Sequence, residues 1–235
     1  MKMKNIESSL EDYRERTEYL KGFLTPERIE TLERVLSMRT LYMTILTENI
    51  YHPQNASALV RHCEAFGVQS MHTVETRCKF TPNLSIVRGT DKWIDINPHD
   101  STTQALNSLK ADGYRIVATT PHRESCTPES FDVTKGKFAL VFGTEHAGIS
   151  DEVMESADEY LRIPMCGMVE SLNVSASAAI LIYQLSERMR QQVPCELWRL
   201  SEEEYIRRMY RWSYLSVRDA QGILERKYGL DNQLL

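Results

Sequence analysis

Nothing in the sequence is long and apolar enough to cross a membrane. Runs such as Phe138 to Phe142 and Ala178 to Tyr183 fall far short of the ~18–20 residues that a spanning helix needs. The stretch from Met1 to Tyr19 is charged along its length and lacks the apolar segment of a secretory signal. A soluble, cytoplasmic protein without a membrane partner is therefore expected. Its five cysteines, Cys63, Cys78, Cys126, Cys166 and Cys195, are odd in number and scattered, with no CxxC pair and no histidine at zinc-ligand spacing. They read as reduced thiols, and no metal is expected. There is no GxGxxG after a strand, no GxxxxGK[ST], no HExxH, no GxSxG and no paired-carboxylate signature. Dinucleotide-fold, P-loop, kinase and hydrolase readings therefore lack support. A net charge of −5 also argues against a uniformly basic nucleic-acid binder. Most of that acidity lies in the middle, because residues 41–185 carry 11 basic and 17 acidic groups while the two ends are nearly balanced.

What is present is a mixed pattern. The first forty residues read as two helices, Ile6–Lys21 and Pro26–Arg39, the second opened by a Thr25 cap and a proline at its first position. From Leu41 onward, short apolar runs at Tyr42–Leu46, Met71–Val74, Arg115–Thr119, Phe138–Phe142 and Tyr160–Ile163 alternate with helical stretches at Ala56–Phe66 and Thr102–Ala111. A further short helix follows Ser150, and such alternation marks an α/β layer with a mostly parallel sheet, in which ligands bind outside the carboxyl ends of the strands. Two long helical stretches, Ser171–Gln192 and Ser201–Lys227, close the chain, the second with candidate breaks at Ser213 or Ser216. The expected organisation is a helical extension over 1–40, an α/β domain over 41–192 and a second helical extension over 193–235.

Three segments carry candidate chemistry. The first runs from His52 to Val68 and contains Asn55 and Arg61 before a Gly67 stop. The second is the buried run Phe138–Phe142 followed by Gly143, Glu145 and Gly148-Ile149, where glycines allow close backbone approach. The third passes from Ile163-Pro164-Met165 through Gly167-Met168 into Ser171-Leu172-Asn173-Val174-Ser175 and a helix start built of small residues. Each has an ordinary reading by itself: Asn55 as a helix cap, Arg61 as a solvated charge, Glu145 as a turn carboxylate, and Ser171 as an N-cap before a tight packing face.

In their order and spacing the three segments resemble the motifs of the SPOUT superfamily of RNA methyltransferases, specifically the TrmH-like ribose 2′-O-methyltransferases. The resemblance covers residues 40–190 and is most specific in the third segment. It implies a knotted α/β domain with a mostly parallel sheet and a deep trefoil knot, S-adenosylmethionine as cofactor, and a homodimer. It also implies cofactor contacts at Thr119, Gly143, Ile163 and Leu172, and a catalytic set of Arg61, Asn55, Glu145, Ser171 and Asn173. The short helical extensions resemble those of the tRNA-modifying members of that family, which implies tRNA as partner with guanosine-18 of the D-loop as target. Ribosomal RNA methylation, or RNA binding without catalysis on the same fold, are the alternatives. Arg207, Arg211, Tyr214 and Arg218 fall at i, i+4, i+7 and i+11 and share one face if their helix is continuous, which makes the three arginines RNA-contact candidates. Arg28, Arg34 and Arg39 are secondary candidates.

Overall fold

The computed structural model describes residues 9–121, 123, 125–144 and 147–229. Glu145 of the second segment lies outside the described residues. The chain divides into two compact units, one of residues 40–199 and the other of residues up to 39 together with those from 200 onward.

In the first of these units six strands form a single parallel sheet. In chain order they are β1 (Met43–Glu48), β2 (Ser70–Val74), β3 (Asp95–His99), β4 (Arg115–Thr119), β5 (Phe138–Phe142) and β6 (Glu159–Leu161). Their order across the sheet is β3-β2-β1-β5-β4-β6. The central strands β1 and β5 are buried at every position, as expected where helices cover both faces of a parallel sheet. Alternate side chains feed two cores. Met43, Ile45, Phe138, Leu140 and Phe142 enter one, against α3 (Pro53–Ala65) and α7 (Val174–Gln192). Leu46, Ala139, Val141, Ile116 and Ala118 enter the other, against α5 (Thr102–Ala111) and α6 (Asp151–Ser156).

Strand β3 was not expected from the sequence. Its residues Asp95-Ile96-Asn97-Pro98-His99 lack an apolar run and include a proline, which a strand tolerates at a sheet edge, and β3 is an edge strand. Helix α4 (Leu84–Val87) and a 3-10 turn at Thr90–Trp93 connect β2 to β3. Beyond α7, Val193 and Trp198 still belong to the sheet core, and Thr40 Oγ1 donates to the Trp198 carbonyl at 2.6 Å. A short helix α8 (Cys195–Trp198) thus stays with this unit.

The other unit joins α1 (Leu10–Lys21), α2 (Pro26–Leu36), α9 (Glu202–Ser216) and α10 (Ala220–Tyr228). Ser9 and Asp12 form a capping box on α1, and Thr25 caps α2. Tyr13, Leu20, Ile206, Tyr210 and Leu224 form its core. Helix α9 ends at Ser216 and α10 begins only after Asp219, which adopts a left-handed φ of 57°. Arg218 therefore lies outside α9, and the continuous face expected through Arg207, Arg211, Tyr214 and Arg218 does not exist. Arg39 is only 1% exposed and its guanidinium sits 5.2 Å over the Trp212 ring. That burial removes Arg39 from the RNA-contact candidates, since its cation faces an aromatic ring and not solvent.

Candidate functional site

The carboxyl ends of β4, β5 and β6 open onto a cavity of about 660 Å³. Thr119, Thr120 and Pro121 line it after β4, Gly143, Thr144 and Gly148 after β5, and Ile163 and Met165 after β6. Ser171, Leu172 and Asn173 close it at the start of α7. The sequence candidates Thr119, Gly143, Ile163, Leu172, Ser171 and Asn173 thus meet around one space, although up to 54 residues separate them. This is where a parallel α/β sheet gathers a ligand.

Local chemistry explains the walls. Thr119 Oγ1 donates to the Val141 carbonyl at 2.7 Å, which fixes the end of β4 against β5. After Phe142 the chain folds back on itself: Thr144 N donates to Gly148 O at 2.9 Å, and Gly148 N to Thr144 O at 3.1 Å. A Cβ added at Gly143 would stand 2.1 Å from both the carbonyl carbon and the oxygen of Gly148, so only glycine fits under this turn. Gly148 itself has a φ of 70°, the left-handed region that glycine occupies freely. Gly143, Thr144 and Gly148 of this turn all line the cavity.

Asn173 is the N-cap of α7, its Oδ1 accepting from Ser175 N at 2.8 Å and Ser175 Oγ at 2.7 Å. The cap is not Ser171, which stands two residues earlier and lines the cavity. Asn173 Nδ2 donates to Asn55 Oδ1 at 3.2 Å, so the first and third segments touch directly. Asn55 is 7% exposed in the first turn of α3, where the N-cap residue is His52. The His62 imidazole of the same helix has its pKa lowered by burial, opposed by a bond with the backbone of Ser175. Helices α3 and α7 are thereby tied at two points.

Arg61 does not line the cavity. It is exposed on α3, and Nη1 donates to the Ile86 carbonyl at 2.8 Å. Of the arginines in the terminal unit, Arg207 pairs with Glu203 and lies 4.9 Å over Tyr13, Arg28 donates to Ser216 Oγ at 3.2 Å, Arg211 is half-buried, and Arg34 and Arg218 are exposed.

One functional-looking group escaped the sequence. Glu48 ends β1 and is 3% exposed, its carboxylate accepting from Thr102 Oγ1 at 2.7 Å, Ser150 Oγ at 2.8 Å and Ser150 N at 3.0 Å. Its partners stand 54 and 102 residues further along the chain, so no local pattern announces it. Among the described residues, no group of three or more histidine, cysteine or acidic side chains could hold a metal ion, and no helix is long and apolar enough to cross a membrane.

Residues 42–183 match the SpoU rRNA methylase family. The tRNA (guanosine(18)-2′-O)-methyltransferase of Borreliella burgdorferi is 37% identical over 200 residues, which cover 85% of this chain and 91% of that protein. The crystal structure of the A. aeolicus TrmH/SpoU tRNA modifying enzyme superposes with a TM-score of 0.72 at 33% identity, covering 82% of this chain and 98% of the other. The SpoU methyltransferase AviRb from Streptomyces viridochromogenes, crystallised with the cofactor AdoMet, shares the fold with a TM-score of 0.55 at 20% identity, over 68% of this chain and 62% of that one. With that match over more than half of the chain, and a relative of this identity and length, the chain belongs to the SpoU rRNA methylase family.

Proposed function

We propose that the protein transfers a methyl group from S-adenosylmethionine to the ribose 2′-hydroxyl of guanosine-18 in tRNA. The observation that carries this reading is the convergence of Thr119, Gly143, Ile163 and Leu172 with Ser171 and Asn173 around one cavity. The activity in the name of the Borreliella burgdorferi relative and the cofactor crystallised with AviRb support it. The cavity residues fit such a cofactor: Gly143, Thr144 and Gly148 line one wall, and the space beneath their turn is too tight for a side chain at Gly143, so main chain can come close to a ligand there. Thr119, Gly143, Ile163 and Leu172 hold it, chiefly through backbone groups. When bound, it supplies a methyl group already activated on a sulfonium, so alignment carries much of the rate.

The protein's own residues then position the ribose. Ser171 and Asn173 form the side of the site that meets it, Asn55 steadies Asn173 through the bond between them, and Glu145 takes the catalytic role that its motif implies. Arg61 holds the adjoining phosphate and stabilises charge developing on the 2′-oxygen. A guanidinium stays protonated in proteins, so Arg61 is not the base, and the proton passes to a phosphate oxygen or water.

We also propose that the protein works as a homodimer in the cytoplasm. Arg61 lies outside the cavity of its own chain, and Met168, Val169, Ile180 and Tyr183 expose apolar surface beside the third segment and along α7. A second copy covering that surface would bring its Arg61 to this cavity. The trefoil knot of the fold family belongs to the same reading. Arg34, Arg218, Arg207, Arg211 and Arg28 of the terminal unit contribute RNA contacts.

Labelled methyl transfer to total tRNA and to ribosomal RNA, followed by nucleoside mapping, tests the proposal. Label in 2′-O-methylguanosine at position 18 is the expected outcome. Label confined to ribosomal RNA would redirect the substrate, and no label in either pool despite cofactor binding would leave an RNA-binding protein without catalysis.

A further inference from the structure

Glu48 is the carboxylate for which the site described above gives no use. Burying an ionised carboxylate is costly unless its oxygens are bonded, and here both are: Oε1 accepts from the Thr102 and Ser150 hydroxyls, and Oε2 from the Ser150 amide. An apolar residue of similar volume would fill the same space without that requirement, so stability alone is a weak reason for a charge there.

The donors point to a more specific role. Thr102 opens α5, which packs on the sheet core through Ala105, Leu106 and Leu109. Ser150 caps α6 and directly follows the turn in which Thr144 and Gly148 bond each other above Gly143. That turn has no slack, since Gly148 lies where a Gly143 side chain would be. Fixing Ser150 therefore fixes the height of Gly148 and Ile149 over the cavity. Glu48 does not line the cavity itself, so it acts through Ser150. Helices α5 and α6 keep a second tie without it, because Thr103 Oγ1 donates to Glu152 and Val153 shares a core with Leu106.

We propose that Glu48 is a positioning residue for the cofactor wall: from the end of β1 it clamps Ser150 and so holds Gly148 and Ile149 over Gly143 in the placement that binds S-adenosylmethionine. The proposal rests on the reading that this cavity holds that cofactor.

Four proteins test it: wild type, Glu48→Met, Glu48→Gln and Thr102→Val. Affinity for S-adenosylhomocysteine is measured by calorimetry, amide hydrogen exchange is followed at Gly148 without ligand, and melting temperature is recorded for each. Met fills the space but leaves the Ser150 amide unbonded. Gln turned about keeps an acceptor for that amide and a donor for the hydroxyls, so it rescues the clamp. Thr102→Val removes a bond to the same carboxylate from the side away from the turn. Glu48→Met is expected to weaken binding about tenfold, ~1.4 kcal/mol, and to speed exchange at Gly148. Glu48→Gln and Thr102→Val are expected to stay within about threefold of wild type. If Glu48→Met does not fold, Ser150→Ala, which loses the hydroxyl bond, takes its place with a smaller loss in the same direction. Unchanged binding and exchange in Glu48→Met, or an equal loss in Thr102→Val, overturns the proposal. A wild type that binds no S-adenosylhomocysteine overturns the cofactor reading, and the exchange comparison then decides the clamp alone.

Discussion

Asn173 Nδ2 donates to Asn55 Oδ1 across 3.2 Å, linking residues 118 positions apart in sequence. The same Asn173 caps α7, so one side chain both starts a helix and joins two segments of the site. Asn173→Ala is expected to cost about 1 kcal/mol of stability from the cap and to weaken cofactor binding more than Asn55→Ala does. A double-mutant cycle on Kd for S-adenosylhomocysteine should return a coupling of roughly 0.5–2 kcal/mol. A coupling near zero would mean that the two amides act independently.

Gly143→Ala places a methyl group 2.1 Å from the Gly148 backbone. The neighbour is main chain and cannot rotate away, so the turn must shift, at a cost of about 1–3 kcal/mol. Circular dichroism should show an intact fold while binding of S-adenosylhomocysteine falls by at least tenfold. Retained affinity would show that the turn does not shape the cofactor wall.

Arg61→Lys keeps the charge and loses the planar fork of donors. Because Arg61 is exposed and donates from Nη1 to the Ile86 carbonyl, a bond that a lysine ammonium can also make, the melting temperature should change little. Turnover on tRNA is expected to drop by about a hundredfold if the guanidinium stabilises developing charge. Near-normal kcat would rule out that requirement.

His72 on β2 stacks on His99 with ring centres 5.2 Å apart, and their nitrogens approach to 2.9 Å. Burial, then the neighbouring His99, lowers the His72 pKa to about 4, with Asp112 opposing. The folded state therefore favours the neutral ring. Its contribution is present above the ordinary value of 6.5 and is lost as pH falls through 6.5 toward about 4, a window worth up to ~3 kcal/mol. Urea midpoints should fall between pH 7 and pH 4.5 in the wild type and fall less steeply in His72→Asn. Equal slopes would exclude His72 as the source.

The sequence by itself determined the alternation of the α/β unit, because β1, β4 and β5 contain short apolar stretches and helices α5, α6 and α7 carry their own side-chain caps. The cavity residues Thr119, Gly143, Ile163 and Leu172 were legible only through the resemblance carried by the three segments together, because each segment by itself has an ordinary local reading. Tertiary structure alone decided the rest. Strand β3 forms from a polar, proline-containing segment because pairing along β2 supplies what its composition lacks. Arg39 is drawn inside by Trp212, and α9 stops at Ser216, so a helical face assumed from spacing dissolves. Glu48 and Ser150, 102 residues apart, meet only after β1, β5 and α6 are in place. Periodicity and turn chemistry act over a few residues and are written in the sequence. A buried carboxylate's partners are chosen by packing, which the folded chain alone specifies.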